Sequence, residues 1–222
     1  NMHDSKSCAA RLVGSSPTLG TMNNKKLNSD KELQAYVIGL ALGDGNLSNN
    51  RGTTRLRITC DTKYPFLYKK ILSSLKLLLP DNKVGIIDRG PNCLDISVYS
   101  NHLEKLLEWR AKEGSKFLQK ASVPNWIKNN NQYKIACLRG LIETDGSIYN
   151  DRNYTMMTFK NIIPDLAKDF YNMVIDLGFK PHLYTIKPQN PDLHKFNQQT
   201  AYQVRLSKNV SKFLELVNPE KI

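Results

Sequence analysis

From residue 31 onward the apolar positions of this chain fall into two rhythms, and the order of those rhythms occurs twice. An apolar run, YVIGLALGDG at residues 36–45, has the length of a helix and stops on Asp44 and Gly45. After GDGNL and a polar turn comes TRLRITC, which alternates basic and apolar residues with the period of two that a half-buried strand requires. An amphipathic stretch, YPFLYKKILSSLKLLL, predicts a helix; VGIID and CLDISVYS predict strands, and NHLEKLLEW a short helix. A second apolar run, ACLRGLIETDG at residues 136–146, restarts the series with YTMMTFK, IPDLAKDFYNMVIDLG, PHLYTI, AYQVRLS and NVSKFLELV. Each half therefore reads helix–strand–strand–helix–strand–strand–helix, an internal duplication. The fold class is α+β: a pseudo-symmetric pair of αββαββα halves. Residues 31–110 form the first, 133–222 the second, and 111–132 a linker with a short helical piece near Trp126. Residues 1–30 are polar and aperiodic, and read as a disordered leader.

Both apolar runs carry glycines at helical spacing although glycine costs a helix roughly 1 kcal/mol. Gly39 and Gly43 share one face of the first, and Ala136, Gly140 and Thr144 one face of the second. Small residues four apart let helix backbones approach closely. If the two helices pack through Gly39, Gly43 and Gly140, their ends converge and bring Asp44 and Asp145 together. Gly45 and Gly146 then fall where a left-handed residue often ends a helix. A carboxylate at a helix C-terminus opposes the dipole, and two side by side are worse. A divalent cation resolves the conflict, and oxygen ligands suit Mg²⁺. Read alone, each Asp-Gly is a turn; the matched copies favour the metal.

Charge sharpens the picture. Lys+Arg number 32 against 20 Asp+Glu, giving a net charge of +12 and pointing to a polyanion such as nucleic acid. No apolar run approaches the roughly 18 residues of a membrane span, and the N-terminus lacks the order of a secretory signal. Cys8, Cys60, Cys93 and Cys137 show no metal-ligand spacing, which fits a reducing, intracellular compartment. Residues 11–21, RLVGSSPTLGT, resemble the translation of a transfer-RNA T-arm, with Met22 as the more natural start; the plainer reading is a flexible tail.

VIGLALGDG (37–45) and LRGLIETDG (138–146) resemble the two signature motifs of a single-chain LAGLIDADG homing endonuclease. The resemblance implies two curved antiparallel sheets forming a saddle on the DNA major groove, with the signature helices at the interface. It implies a monomer making a double-strand break in a long, non-palindromic target, as in intron homing. It makes Asp44 and Asp145 the catalytic metal ligands, with the carbonyls of Gly43 and Thr144 beside them. Two or more divalent ions are implied, Mg²⁺ with Mn²⁺ able to substitute. The resemblance also implies a Lys or Gln from the first hairpin of each half near the cleavage centre, as is usual in the family. Lys160 is the catalytic candidate in the second half, with Asp61 opposite it in the first; the plain reading of Lys160 is a solvated strand-end lysine.

Strand parity separates a core face from an outward face. The outward, DNA-reading candidates are Arg55, Arg57 and Thr59, then Asp95 and Ser97, in the first half. Arg152, Tyr154 and Met156, then Gln203, Arg205 and Ser207, are those of the second. Arginines in such positions suit guanine in the major groove, and for others ordinary surface polarity suffices. Loops at residues 46–53 and 187–200 would reach outer bases. Two other functions share the resemblance, an RNA maturase binding intron RNA and a non-cleaving DNA-binding regulator. Neither needs the intact pair Asp44 and Asp145.

Overall fold

The computed structural model describes residues 19–188 and 199–221, with side chains from residue 30 on. Its first half runs α1 (Leu19–Gly43), β1 (Gly45–Asn50), β2 (Thr53–Asp61), α2 (Pro65–Leu78), β3 (Val84–Gly90), β4 (Cys93–Tyr99) and α3 (Leu103–Leu107). A short α4 (Asn125–Lys128) stands in the linker. The second half repeats the order: α5 (Asn131–Asp145), β5 (Gly146–Asp151), β6 (Tyr154–Asn161), α6 (Pro164–Asp176), β7 (His182–Ile186), β8 (Ala201–Leu206) and α7 (Val210–Val217). The strands form two four-stranded antiparallel sheets, ordered β1-β2-β4-β3 and β5-β6-β8-β7.

Three boundaries differ from the sequence reading. Helix α1 extends back to Leu19, so residues 19–30 of the expected disordered leader are helical, while residues 1–18 lie outside the described residues. The polar stretch expected as a loop at residues 46–53 is mostly strand, because β1 leaves α1 directly and pairs with β2 along its whole length. The reversal needs only Arg51 and Gly52, both at positive φ (49° and 91°), the conformation of a tight two-residue hairpin. Arg152 and Asn153 (φ 48° and 68°) do the same between β5 and β6, which puts Arg152 at a turn tip rather than on a strand face. The other expected loop, residues 187–200, lies mostly outside the described residues.

In each half, helices cover one face of the sheet. Leu56, Ile58, Ile96 and Val98 of the first sheet, and Met157, Phe159, Val204 and Leu206 of the second, are fully buried. Leu67, Ile71 and Leu75 of α2 belong to the same core, as do Leu166, Phe170 and Met173 of α6. Phe170 stacks on Phe159 with ring centroids 4.2 Å apart. Pro65 and Pro164 open α2 and α6, where a missing N–H costs nothing.

Between the halves, α1 and α5 make the most extensive helix–helix contact of the described chain. A methyl group added at Gly140 would lie 2.5 Å from the Tyr36 carbonyl oxygen and 2.6 Å from the Leu40 nitrogen. Its counterpart at Gly39 would strike the carbonyl of Cys137. The same contact thus occurs twice, once from each helix, because backbone meets backbone there. One turn further on, Gly43 abuts the side chain of Thr144, so the C-terminal ends of α1 and α5 lie against each other.

Candidate active site and sheet faces

Asp44 follows the end of α1 and Asp145 is the last residue of α5, and they lie close enough that the charge on Asp44 raises the pKa of Asp145. Burial is the larger cause, and together they push Asp145 up to about 6 against the hydrogen bond from Asn161. Desolvation by the packed helix ends also raises Asp44, although the residue keeps an exposed side, against the charges of Lys221 and Lys116. The glycines after them are not left-handed: Gly146 is extended (φ −83°, ψ 150°), and Gly45 is not among the positive-φ glycines. They are required for another reason. A methyl at Gly146 would sit 2.5 Å from the carbonyl oxygen of Ile142, because the chain turns straight from the last helical turn into a strand. Gly45 meets Ala41 in the same way.

Two lysines complete the site. The ammonium of Lys116, from the linker, donates to the carbonyls of Ala41 (3.1 Å), Leu42 (2.7 Å) and Gly43. Lys221 donates to the carbonyls of Thr144 (2.9 Å) and Gly146 (3.2 Å). Apart from that of Gly146, which opens β5, these carbonyls belong to the unpaired, electronegative helix ends, where a cation is favoured. Burial pushes Lys116 down to about 8, although Asp145 and Asp44 oppose the shift; burial likewise lowers Lys221. Lys116 and Asp145 share a cleft of about 500 Å³ with Gly43 and Asn161. Lys221 and Asp44 share one of about 130 Å³ with Cys60, Asp61 and Thr144. Each cleft therefore pairs the carboxylate of one half with the helix-end carbonyl of the other.

Those oxygens test whether a metal fits. Among the described residues no three His, Cys, Asp or Glu side chains cluster to hold one. The donor set is two carboxylates and the carbonyls of Gly43 and Thr144. Both carbonyls already carry a cation, so they open toward space that positive charge can occupy. Hard oxygen donors of this kind suit Mg²⁺ or Mn²⁺.

Lys221 is placed by a buried network. Glu143 accepts from the Tyr36 hydroxyl (2.6 Å) and from the Glu220 backbone N–H (2.8 Å). Lys70 lies 3.8 Å from it and 2.8 Å from Glu220. Burial raises Glu143 against these bonds.

Lys160 and Asp61 are not equivalent. Gly45 pairs with Ile58 and Gly146 with Phe159, so the register partner of Lys160 in the first half is Thr59, not Asp61. Lys160 is exposed opposite Gln203. Asn161, which follows it, donates to Asp145 at 2.7 Å. Asp61 binds Lys63 at 2.9 Å.

The sheet faces turned from the core carry most of the remaining candidates. Arg55, Arg57 and Thr59 alternate with buried Leu56, Ile58 and Cys60. Asp95 and Ser97 share that face yet are only 2% and 5% exposed. Asp95 accepts from Arg89 Nε at 2.5 Å and from Thr59 Oγ1 at 2.8 Å, so it holds neighbours rather than projecting outward. In the second sheet Tyr154, Met156, Gln203 and Arg205 occupy the corresponding face, with Met156 9% exposed, and Ser207 lies just past β8. Lys116, Lys221, Asn161 and Glu143 escaped the sequence reading. Only Asn161 and Glu143 had a signal, as polar residues next to Lys160 and within the second motif.

Residues 132–218 match the family model of the LAGLIDADG-like domain. A comparison with curated protein sequences finds no match. Among solved structures, mesophilic variants of the homing endonuclease I-DmoI align with 85% of this chain and 96% of theirs at 17% identity, TM-score 0.60. I-DmoI in complex with DNA and Mn aligns with 85% of this chain and 97% of its own at 18% identity and the same TM-score. The N-terminal LAGLIDADG domain of DUF199/WhiA aligns over 86% and 85% at 15% identity, TM-score 0.57. The chain thus has the two-motif LAGLIDADG fold.

Proposed function

Taking a two-motif LAGLIDADG fold as the premise, we propose that this chain is a site-specific DNA endonuclease that makes a metal-dependent double-strand break in a long, non-palindromic target, as intron homing requires. One observation carries the reading: the carboxylates of Asp44 (exposed) and Asp145 (half-buried), both with raised pKa, meet at two packed helix ends between two sheets whose outward faces bear arginines. A structural role would not gather like charges at helix ends that repel them. Because both motifs lie in one chain, a monomer holds one complete site.

Asp44 and Asp145, with the carbonyls of Gly43 and Thr144, would hold divalent cations, which when bound polarise phosphate oxygens and favour an attacking water. The protein's own contributions are positional. The glycine seam fixes the spacing of the carboxylates. Lys116 and Lys221 lower the negative potential that a phosphate would meet on entering. The sheet faces hold the duplex in register, Arg55 and Arg57 for one half-site and Arg205 for the other, with Lys160 at the edge of the second. The I-DmoI complex with DNA and Mn supports the same partner and a divalent cation.

Cleavage of a selected duplex with Mg²⁺ tests the proposal. Asp44→Asn and Asp145→Asn should each lower double-strand cleavage by at least about a thousandfold with binding within a few-fold. Tight, specific binding by the wild-type chain without cleavage would leave a binding protein of the same fold instead.

A further inference from the structure

The register that equates the two halves also shows where their outward faces part. The first sheet pairs Ser48 with Arg55 and Asn46 with Arg57; at the same places the second pairs Tyr149 with Met156 and Ser147 with Thr158. Both β2 arginines are thus replaced, one by a thioether and one by a short hydroxyl side chain.

On the first face the guanidiniums are held in place by their neighbours. Asp95, at 2% exposure, anchors Arg89 directly and lies 3.9 Å from Arg57. Arg55 lies over the Tyr99 ring, 5.7 Å from its centroid. Among the described residues, Nε of Arg57, Nε and Nη2 of Arg55 and, on the second face, Nε of Arg205 are buried without an acceptor. The second face is mixed, with Lys160, Gln203 and Arg205 beside more large apolar side chains than the first, where Ile87 and Tyr99 are 44% and 41% exposed. Tyr149, Tyr184 and Ile186 are 40%, 47% and 36% exposed, and Tyr184 and Ile186 lie opposite Gln203 and Ala201 on the outward side. Arg205, the arginine on the strands of this face, spends one N–H on the Met156 sulfur at 3.7 Å.

Major-groove chemistry separates these surfaces, because arginine donors match the O6 and N7 acceptors of guanine, whereas apolar groups match the thymine methyl. Resting on the DNA-endonuclease reading above, we infer that the target is chemically lopsided. The arm under the first sheet presents guanines to Arg55 and Arg57, and the arm under the second presents thymine methyls to Tyr149, Tyr184 and Ile186.

The test selects bound duplexes from a fully randomised pool in Ca²⁺, then edits each arm of the winning sequence with single-atom or single-group changes. Replacing guanine by 7-deazaguanine removes N7, and replacing thymine by uracil removes the methyl. In the arm whose preference Arg57→Ala relaxes, 7-deazaguanine should weaken binding about tenfold and uracil less than twofold. In the other arm uracil should weaken binding about threefold or more per contacted base, and 7-deazaguanine little. Equal sensitivity of both arms, or the reverse assignment, overturns the inference while leaving specific DNA binding intact. A pool with no enriched sequence overturns the DNA-reading function itself.

Discussion

One residue beyond the matched pair Ile58 and Phe159 stand Thr59 and Lys160; two beyond stand Cys60 and Asn161. The backbone positions agree, but what reaches the carboxylates does not. Asp145 receives a hydrogen bond from Asn161, whereas among the described residues Asp44 faces a thiol that burial pushes up to about 12, hence neutral. Even so, both acids are raised. Burial at the helix ends therefore outweighs the local partner, and the duplication preserves a framework while each carboxylate has its own surroundings.

The framework is the most fragile half of that comparison. Gly140→Ala should destabilise the chain by about 3 kcal/mol or more, since its new methyl meets two backbone atoms that cannot move aside. Gly39→Ala should cost a similar amount. Gly85→Ala is the control: a methyl there meets nothing within 4 Å, and thermal unfolding should shift by no more than about 0.5 kcal/mol. Equal shifts for Gly85 and Gly140 would mean that the seam does not bring the helices together.

Next in size is the cost of burying the acids. Asp145 has a folded pKa of about 6 against an ordinary 3.8, so ionisation is disfavoured in the folded state. The penalty is absent below the unfolded value and complete above about 6. Metal-free Asp145→Asn should therefore be more stable than wild type near pH 7, by roughly 1–3 kcal/mol, with the gain vanishing as pH falls toward 4. Chemical denaturation in a chelator across that range measures it. A gain that persists at pH 4 would assign the effect to packing instead.

The smallest effect concerns the partners themselves. Asn161→Ala removes a bond that lowers Asp145 and should move its titration further upward, while Cys60→Ala should leave that of Asp44 in place. Carboxyl-carbon NMR of the metal-free protein reads both. Matching shifts would erase the asymmetry.

How much of this was legible depends on where each residue lies relative to the repeat. Strand parity and helical spacing carry Leu56, Ile58, Gly39 and Gly140, because burial there is periodic. Asp44 and Asp145 were legible because they recur 101 positions apart at the ends of matched helices. Lys116 and Lys221 come from segments outside the repeated helices and strands, and nothing in EGSKF or NPEKI announces that its lysine folds back onto a helix end. Asp95 lies on the face that parity predicts but is 2% exposed, since parity gives direction and not depth. Residues 19–30 are helical against expectation because polar, aperiodic composition does not prevent a helix from continuing backward from an anchored one.

The antiparallel pairing of β1 with β2 has a metrical consequence. A strand advances about 3.4 Å per residue, nearly the rise of one base pair along a duplex strand. Arg55 and Arg57 therefore stand about 7 Å apart, the span of two base pairs. For a duplex lying along the strand, protein and DNA share one ruler with a stride of two. A changed base pair offends the one side chain above it, but an inserted pair puts every stride beyond it out of step at once.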